Sequence, residues 1–196
     1  MQVHEGMDVR VDGKSVRPLA EKTYIKLYKP VGIVCTADTR EKNNVIDFVG
    51  CPVRVTYAGR LDRNSEGLLL LTNDGDLSEA LMRSRNAHEK EYEVTVSRPF
   101  TDSELQRMRE GIYLKEIDQT TRPCRIDWIG ENRYCFILTQ GLNRQIRRMC
   151  ACMGVRVRKL KRVRIATLQL GDLQLGEWRY LTREETEKLR ETIYAD

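Results

Sequence analysis

The chain has 196 residues, 40% hydrophobic and 32% charged, with a formal net charge of +5, the composition of a soluble globular protein with one substantial core or two small fused ones. No apolar run approaches the roughly 18 residues of a membrane span, and MQVHEGMDVR has neither the basic flank nor the apolar core of a leader, so cytoplasm is the expected location. Six cysteines (Cys35, Cys51, Cys124, Cys135, Cys150, Cys152) without a CxxC pair read as reduced thiols, and neither His4 nor His88 has ligands at convincing spacing, so no metal or cofactor is expected.

Taken in chain order, residues 3–16 alternate through Val9 and Val11 to a turn at Asp12-Gly13, a hairpin too short to bury a core. Residues 23–27 read as a strand entering a turn at Pro30-Val31-Gly32, and residues 45–49 as a short helix. Four leucines at 68–71 form a fully buried strand, followed by a turn at Asn73-Asp74-Gly75 and a helix opened by Asp76 with Glu79 over LSEALMRSR. Residues 91–97 place Tyr92, Val94 and Val96 on one strand face. Thr101 with Glu104 opens a second helix that closes near Gly111, and residues 125–129 and 134–139 form a hairpin across Gly130-Glu131-Asn132. A helix over residues 143–153 ends at Gly154, two strands follow between 155 and 173, and Thr182 with Glu185 caps a last helix. Strands and helices that do not alternate strictly predict an α+β fold with a largely antiparallel mixed sheet and flanking helices.

Two features carry chemistry. In YAGRLDRNSEGLLLLTNDGD, Asp62 sits in a turn-rich segment just ahead of the leucine strand, so one carboxylate is delivered on a stiff support to a cleft floor. Between Gly141 and Leu170 there are nine basic residues and no acid, leaving 25 basic and 29 acidic residues elsewhere. That asymmetry points to a polyanion met at one face, and nucleic acid fits better than membrane. If about six phosphates are engaged, affinity falls some ~10³-fold between low and moderate salt. On a helical wheel Ile146, Met149, Cys150 and Met153 share an apolar face, Arg144 and Arg148 point to solvent or phosphate, and Arg147 borders the stripe and can turn into a cleft.

GRLDRNSEGLLLLTNDG resembles the catalytic motif of the RNA pseudouridine synthases, in the branch containing the small-subunit rRNA enzyme and its large-subunit relatives. The resemblance runs from Tyr24 to Trp178 and implies a pseudouridine synthase fold with a central cleft over residues 21–196. Residues 1–20 then resemble the last piece of an S4-type RNA-binding domain. Asp62 matches the family's indispensable acid. Arg147 in NRQIRRM matches the arginine that pairs with it, and Tyr92 in HEKEYEVTV matches the tyrosine that packs on the target uracil. For substrate binding the resemblance and the charge pattern together nominate Arg60, which fills the emptied position or binds a flanking phosphate, and Lys29 in YKPVGIVCT. Asn143, Arg144, Gln145 and Arg148 of the NRQIRRM segment and Arg158, Lys159 and Arg162 of KLKRVRI complete the set.

HEKEYEVTV, GLNRQIRRMC and LGEWRYLT look most like the large-subunit branch, which implies 23S rRNA as partner and a uridine near the peptidyl transferase centre as target; the reaction needs no oxidant or energy source, so no cofactor is expected, and with no heptad run a monomer is expected. Conversion of uridine to pseudouridine breaks N1–C1′, turns the uracil and rejoins it through C5, with Asp62 as nucleophile or as base. Two other classes use the same residues. A non-catalytic RNA-binding or ribosome-assembly module needs only the basic helix, and a metal-dependent nuclease would use Asp62, Glu66 and Asp74 as ligands.

Overall fold

The computed structural model describes residues 9–11, 14–16, 21–83 and 87–195. The leucine run lies inside β5 (Glu66–Thr72), where every residue after Glu66 is buried. Because successive strand residues face opposite ways, it serves two cores at once. Leu68 and Leu70 pack with Leu77 and Leu81 of α2 (Gly75–Met82) and Leu189 and Ile193 of α5 (Arg183–Tyr194). Leu69 and Leu71 pack on the other face with Ile25 and Leu27 of β3 (Tyr24–Lys29) and Val45 and Val49 of α1 (Val45–Val49).

The main sheet runs, in spatial order, β13 (Trp178–Tyr180), β3, β5, β11 (Val157–Ile165), β6 (Lys90–Val96), β10 (Arg133–Leu138) and β9 (Arg125–Gly130). β4 (Thr56–Ala58) adds to β5 and β12 (Leu168–Gln169) to β11. Every pairing is antiparallel except β5 with β11, which touch in parallel through Lys161↔Glu66 and Arg162↔Gly67. This short seam divides the sheet into halves. Gly67 sits there at φ +115°, and a Cβ on it would lie 2.3 Å from the Arg162 carbonyl oxygen, so only glycine admits the approach. The second half packs Val94, Val96, Phe136 and Leu138 against Leu105 and Met108 of α3 (Asp102–Glu110) and Ile146, Met149 and Cys150 of α4 (Gln145–Cys152).

The α+β architecture, the hairpin of β9 and β10, and the capping boxes at Thr101/Glu104 and Thr182/Glu185 match expectation. Other boundaries move. The N-cap of α2 is Asp74, not Asp76, because the Asp74 carboxylate accepts from the Leu77 amide and is itself held by Tyr24 and Lys22. That helix ends at Met82; Ser84 and Arg85, which LSEALMRSR assigned to it, lie outside the described residues. Glu66 is the first residue of β5. Near the N-terminus Val9–Val11 pairs antiparallel with Lys14–Val16 as a hairpin requires, while its turn at Asp12-Gly13 and residues 1–8 and 17–20 lie outside the described residues. The six cysteines are free thiols.

Candidate active site

A cleft of about 420 Å³ opens where the halves meet, and Arg60, Asp62, Lys90, Tyr92, Asn143, Arg144, Gln145 and Arg162 all line it. Asp62 is pinned on both sides. Leu61 before it is buried in the core beneath β5. After it, the Ser65 amide donates to the Asp62 carbonyl over 3.1 Å, closing the turn that leads into the strand. The Asp62 side chain keeps 30% of its surface exposed, so the carboxylate faces the cleft rather than the core.

Among the described residues the cation at ion-pair distance from Asp62 is Arg144, its Nη1 3.6 Å from Oδ2, and not Arg147 as the resemblance implied. The correction has a local cause. α4 begins at Gln145, not at Asn143, and Arg144 is its N-cap residue in the left-handed region at φ 52°. Leaving the helix there swings its side chain out of the wheel and across to the Asp62 turn, where it also reaches Asn64 Oδ1 at 3.4 Å. Arg147 does turn toward the same turn, but it holds backbone. Its Nη2 donates to the Asn64 carbonyl at 2.7 Å and to Ser65 Oγ at 3.3 Å, and its Nη1 to the Val157 carbonyl at 3.4 Å. Burial, then the positive charge of Arg144, lowers its pKa, with the Asp62 charge acting in the opposite sense. Arg147 thus ties the acid's loop to β11 while Arg144 meets the acid itself.

Tyr92 lies at the seam, packed against cores of both halves. It pairs directly with Arg162 on one side and Phe136 on the other, and directly opposed residues of antiparallel strands share a face. Two residues back on that face is Lys90, which the sequence reading passed over although it stands beside Tyr92 in HEKEYEVTV. Lys90 is 8% exposed, its Nζ donates to the His88 carbonyl at 3.0 Å, and burial, then the charge of Arg162, brings its pKa down to about 8. Arg162 is 3% exposed, donates from Nε to the Leu68 carbonyl at 2.8 Å, and leaves Nη2 buried without a partner.

The other nominated residues divide. Arg60 and Asn143 are exposed on the rim, and Gln145 is buried with its Oε1 accepting from the Leu142 amide, so it shapes the loop before α4. Lys29 stands outside the cleft lining. It is fully buried, its Nζ donates to the carbonyls of Pro30 and Ile33 at 2.8 Å each, and it pins the turn after β3. Arg148 stands outside the cleft lining, where it ion-pairs with Glu116 and donates to the Asn143 carbonyl. Arg158 and Lys159 are exposed on β11 outside the cleft lining. Asp74, buried under Tyr24 and Lys22, does not join Asp62 and Glu66, and among the described residues no three His, Cys, Asp or Glu side chains gather as metal ligands.

Residues 23–152 match the RNA pseudouridylate synthase family. The chain is similar to the dual-specificity RNA pseudouridine synthase RluF of Shigella flexneri, with 44% identity over 186 residues that cover 94% of this chain and 63% of that protein. It is also similar to the ribosomal small subunit pseudouridine synthase A of Yersinia pestis, with 36% identity over 181 residues covering 91% of this chain and 77% of that one. It therefore spans less than two thirds of the first of these. A solved crystal structure of a pseudouridylate synthase superposes with a TM-score of 0.81 at 30% identity, covering 96% of this chain and 83% of that one. With this match over both halves of the sheet and the cleft between them, the chain belongs to the RNA pseudouridylate synthase family and carries its α+β fold.

Proposed function

We propose that this chain converts a specific uridine of ribosomal RNA to pseudouridine, with Asp62 as the reacting carboxylate. The observation that carries the reading is the meeting of Asp62, Arg144 and Tyr92 in one cleft, with Asp62 Oδ2 3.6 Å from the guanidinium. Asp62 either attacks C1′ or takes a proton from the sugar to give a glycal-like species. Arg144 orients the carboxylate, and Arg147 holds the loop that presents it. Tyr92 packs on the flipped uracil and replaces stacking whose loss costs on the order of a few kcal/mol. Arg60 on the rim fills the gap left in the RNA or binds the neighbouring phosphate.

The resemblance of HEKEYEVTV, GLNRQIRRMC and LGEWRYLT to the large-subunit branch favours large-subunit rRNA as the partner, with a uridine near the peptidyl transferase centre as target. We further propose that the protein acts as a cytoplasmic monomer and that residues 1–20 are the end of an S4-type domain; among the described residues no helix is long and apolar enough to cross a membrane. Tritium release from uracil C5 in unmodified large-subunit rRNA tests the reading. Release by the wild type and none by Asp62→Ala supports it. Equal behaviour of the two, with RNA still bound, returns the chain to the class of binding modules.

A further inference from the structure

The cleft floor holds two cations for which the isomerisation outlined above has no use. Lys90, Tyr92 and Leu138 belong to paired strands and, with Arg162 and Leu160 of β11, line the same floor. Lys90 Nζ has a backbone carbonyl as its partner and Arg162 Nη2 has none, so two neighbouring positive charges sit among leucines without a carboxylate hydrogen-bonded to either. Like charges buried together repel and lose hydration, and both costs fall when a negative charge enters between them. An apolar surround strengthens that attraction. Such a floor is built to receive an anion. Its position beside the ring of Tyr92, rather than on the exposed rim with Arg60, makes that anion the base and not a backbone phosphate.

We propose that Lys90 is a further catalytic residue, donating to a carbonyl oxygen of the detached uracil, and that Arg162 is the positioning residue that supports it. The proposal rests on the pseudouridine synthase reading. When N1–C1′ breaks, its electron pair leaves with the uracil and spreads over N1, O2 and O4, while Asp62 supplies the pair or the base that C1′ or C2′ requires. The uracil turns, and a pair from C5 forms C5–C1′ while the Asp62–C1′ bond breaks with its pair returning to the carboxylate, or while C2′ takes its proton back from Asp62 in the glycal route; the C5 proton then departs to a base, and N1 ends protonated. Lys90 carries the countercharge between the two bond changes, as a preorganised donor does at any developing anion.

The test uses the whole chain, with Lys90→Met removing the charge at similar volume and Lys90→Arg restoring a cation. RNA affinity and single-turnover loss of the N-glycoside are measured on rRNA carrying uridine and on rRNA carrying 5-fluorouridine, whose base is the better leaving anion. Lys90→Met is expected to slow the uridine reaction about 100-fold, the effect of removing one oxyanion donor, with affinity within about threefold of wild type. The defect is expected to shrink to about tenfold on 5-fluorouridine, and Lys90→Arg to recover part of the rate. Equal losses on both bases would overturn the proposal in favour of a purely structural lysine. A parallel fall in affinity and rate would overturn it in favour of a phosphate site. Undiminished turnover by Lys90→Met would end the proposal alone, whereas no product from the wild type would remove the enzyme reading and the proposal with it.

Discussion

The half of the sheet around β3 and β5 buries four consecutive leucines against helices on both faces and sends a single acid, Asp62, into the cleft. The half around β6 and β11 rests on α3 and α4 and sends in Arg144, Lys90, Arg162 and the ring of Tyr92. One side is a rigid mount for a carboxylate and the other a cationic, aromatic receptor. The site exists only where they touch, across the two residue pairs of the parallel seam. A catalytic group placed at such a junction is held by two cores, and its geometry answers to the packing of both.

The sharpest way to break the comparison is to empty one side chemically and leave its packing alone. Asp62→Asn keeps shape and volume, and it is expected to lower tritium release at least about 10⁴-fold while leaving RNA affinity within a few-fold, as loss of a reacting group does. Breaking the seam comes next. Gly67→Ala puts a methyl group 2.3 Å from the Arg162 carbonyl oxygen at φ +115°, with backbone on the facing side and no room to yield. A loss of about 3 kcal/mol in urea denaturation is expected, and an unchanged midpoint would mean that the halves can slide.

Arg144 and Arg147 sharpen the contrast further, since one meets the acid and the other ties its loop to β11. Arg147→Ala is expected to cost about 100-fold in turnover together with a lower melting temperature, because misplacing a reacting group by about an ångström has that effect. Arg144→Ala is expected to cost about tenfold with no change in melting, its ion pair being partly solvated. Equal melting of the two variants would mean that Arg147 is not a structural tie.

Lys90 gives a test in pH. It is faced by Arg162 on β11, Tyr92 on its own strand, and Asp62 and Arg144 across the cleft. With its folded pKa near 8 against 10.5 for a free lysine, the unfolded chain binds the proton more tightly between those values, so stability rises as pH climbs through that window. Turnover is expected to move the other way, falling about tenfold per pH unit above about 8 as the countercharge is lost, and Lys90→Met is expected to lack that limb. A wild-type rate flat to pH 9.5 would exclude a working charge on Lys90.

How far these roles could be read in the sequence depends on how local their causes are. Asp62, the leucine strand and both capping boxes were legible because neighbours within a few residues determine them. Arg144 was not, because a left-handed N-cap residue leaves the helical wheel and no periodicity signals it. The burial of Lys29 and Arg162 was hidden for the opposite reason. A lysine or arginine reads as surface, yet both are buried here by partners that the chain supplies as backbone carbonyls, and backbone carries no residue signature. Lys90 was hidden by its own neighbour, since a tyrosine on a strand drew the reading and the lysine beside it had no distinguishing pattern.

The nine-residue basic run teaches the same lesson through salt. Of those nine, Arg156, Arg158 and Lys159 are exposed outside the cleft, while Arg162 is buried, Arg144 pairs with Asp62, Arg148 with Glu116 and Arg164 with Glu89 and Glu91. Internal pairs release no counterions when RNA arrives, so the exposed members set the response. The logarithm of affinity is expected to fall with the logarithm of salt at a slope of about −2, the value for three phosphates on single-stranded RNA, rather than about −6 for the whole run. Arg158→Ala is expected to flatten that slope by about 1 while leaving turnover at saturating RNA unchanged. A slope of −6 in the wild type would show that the internal pairs open on binding, and the two halves of the sheet would then differ less in rigidity than their packing implies.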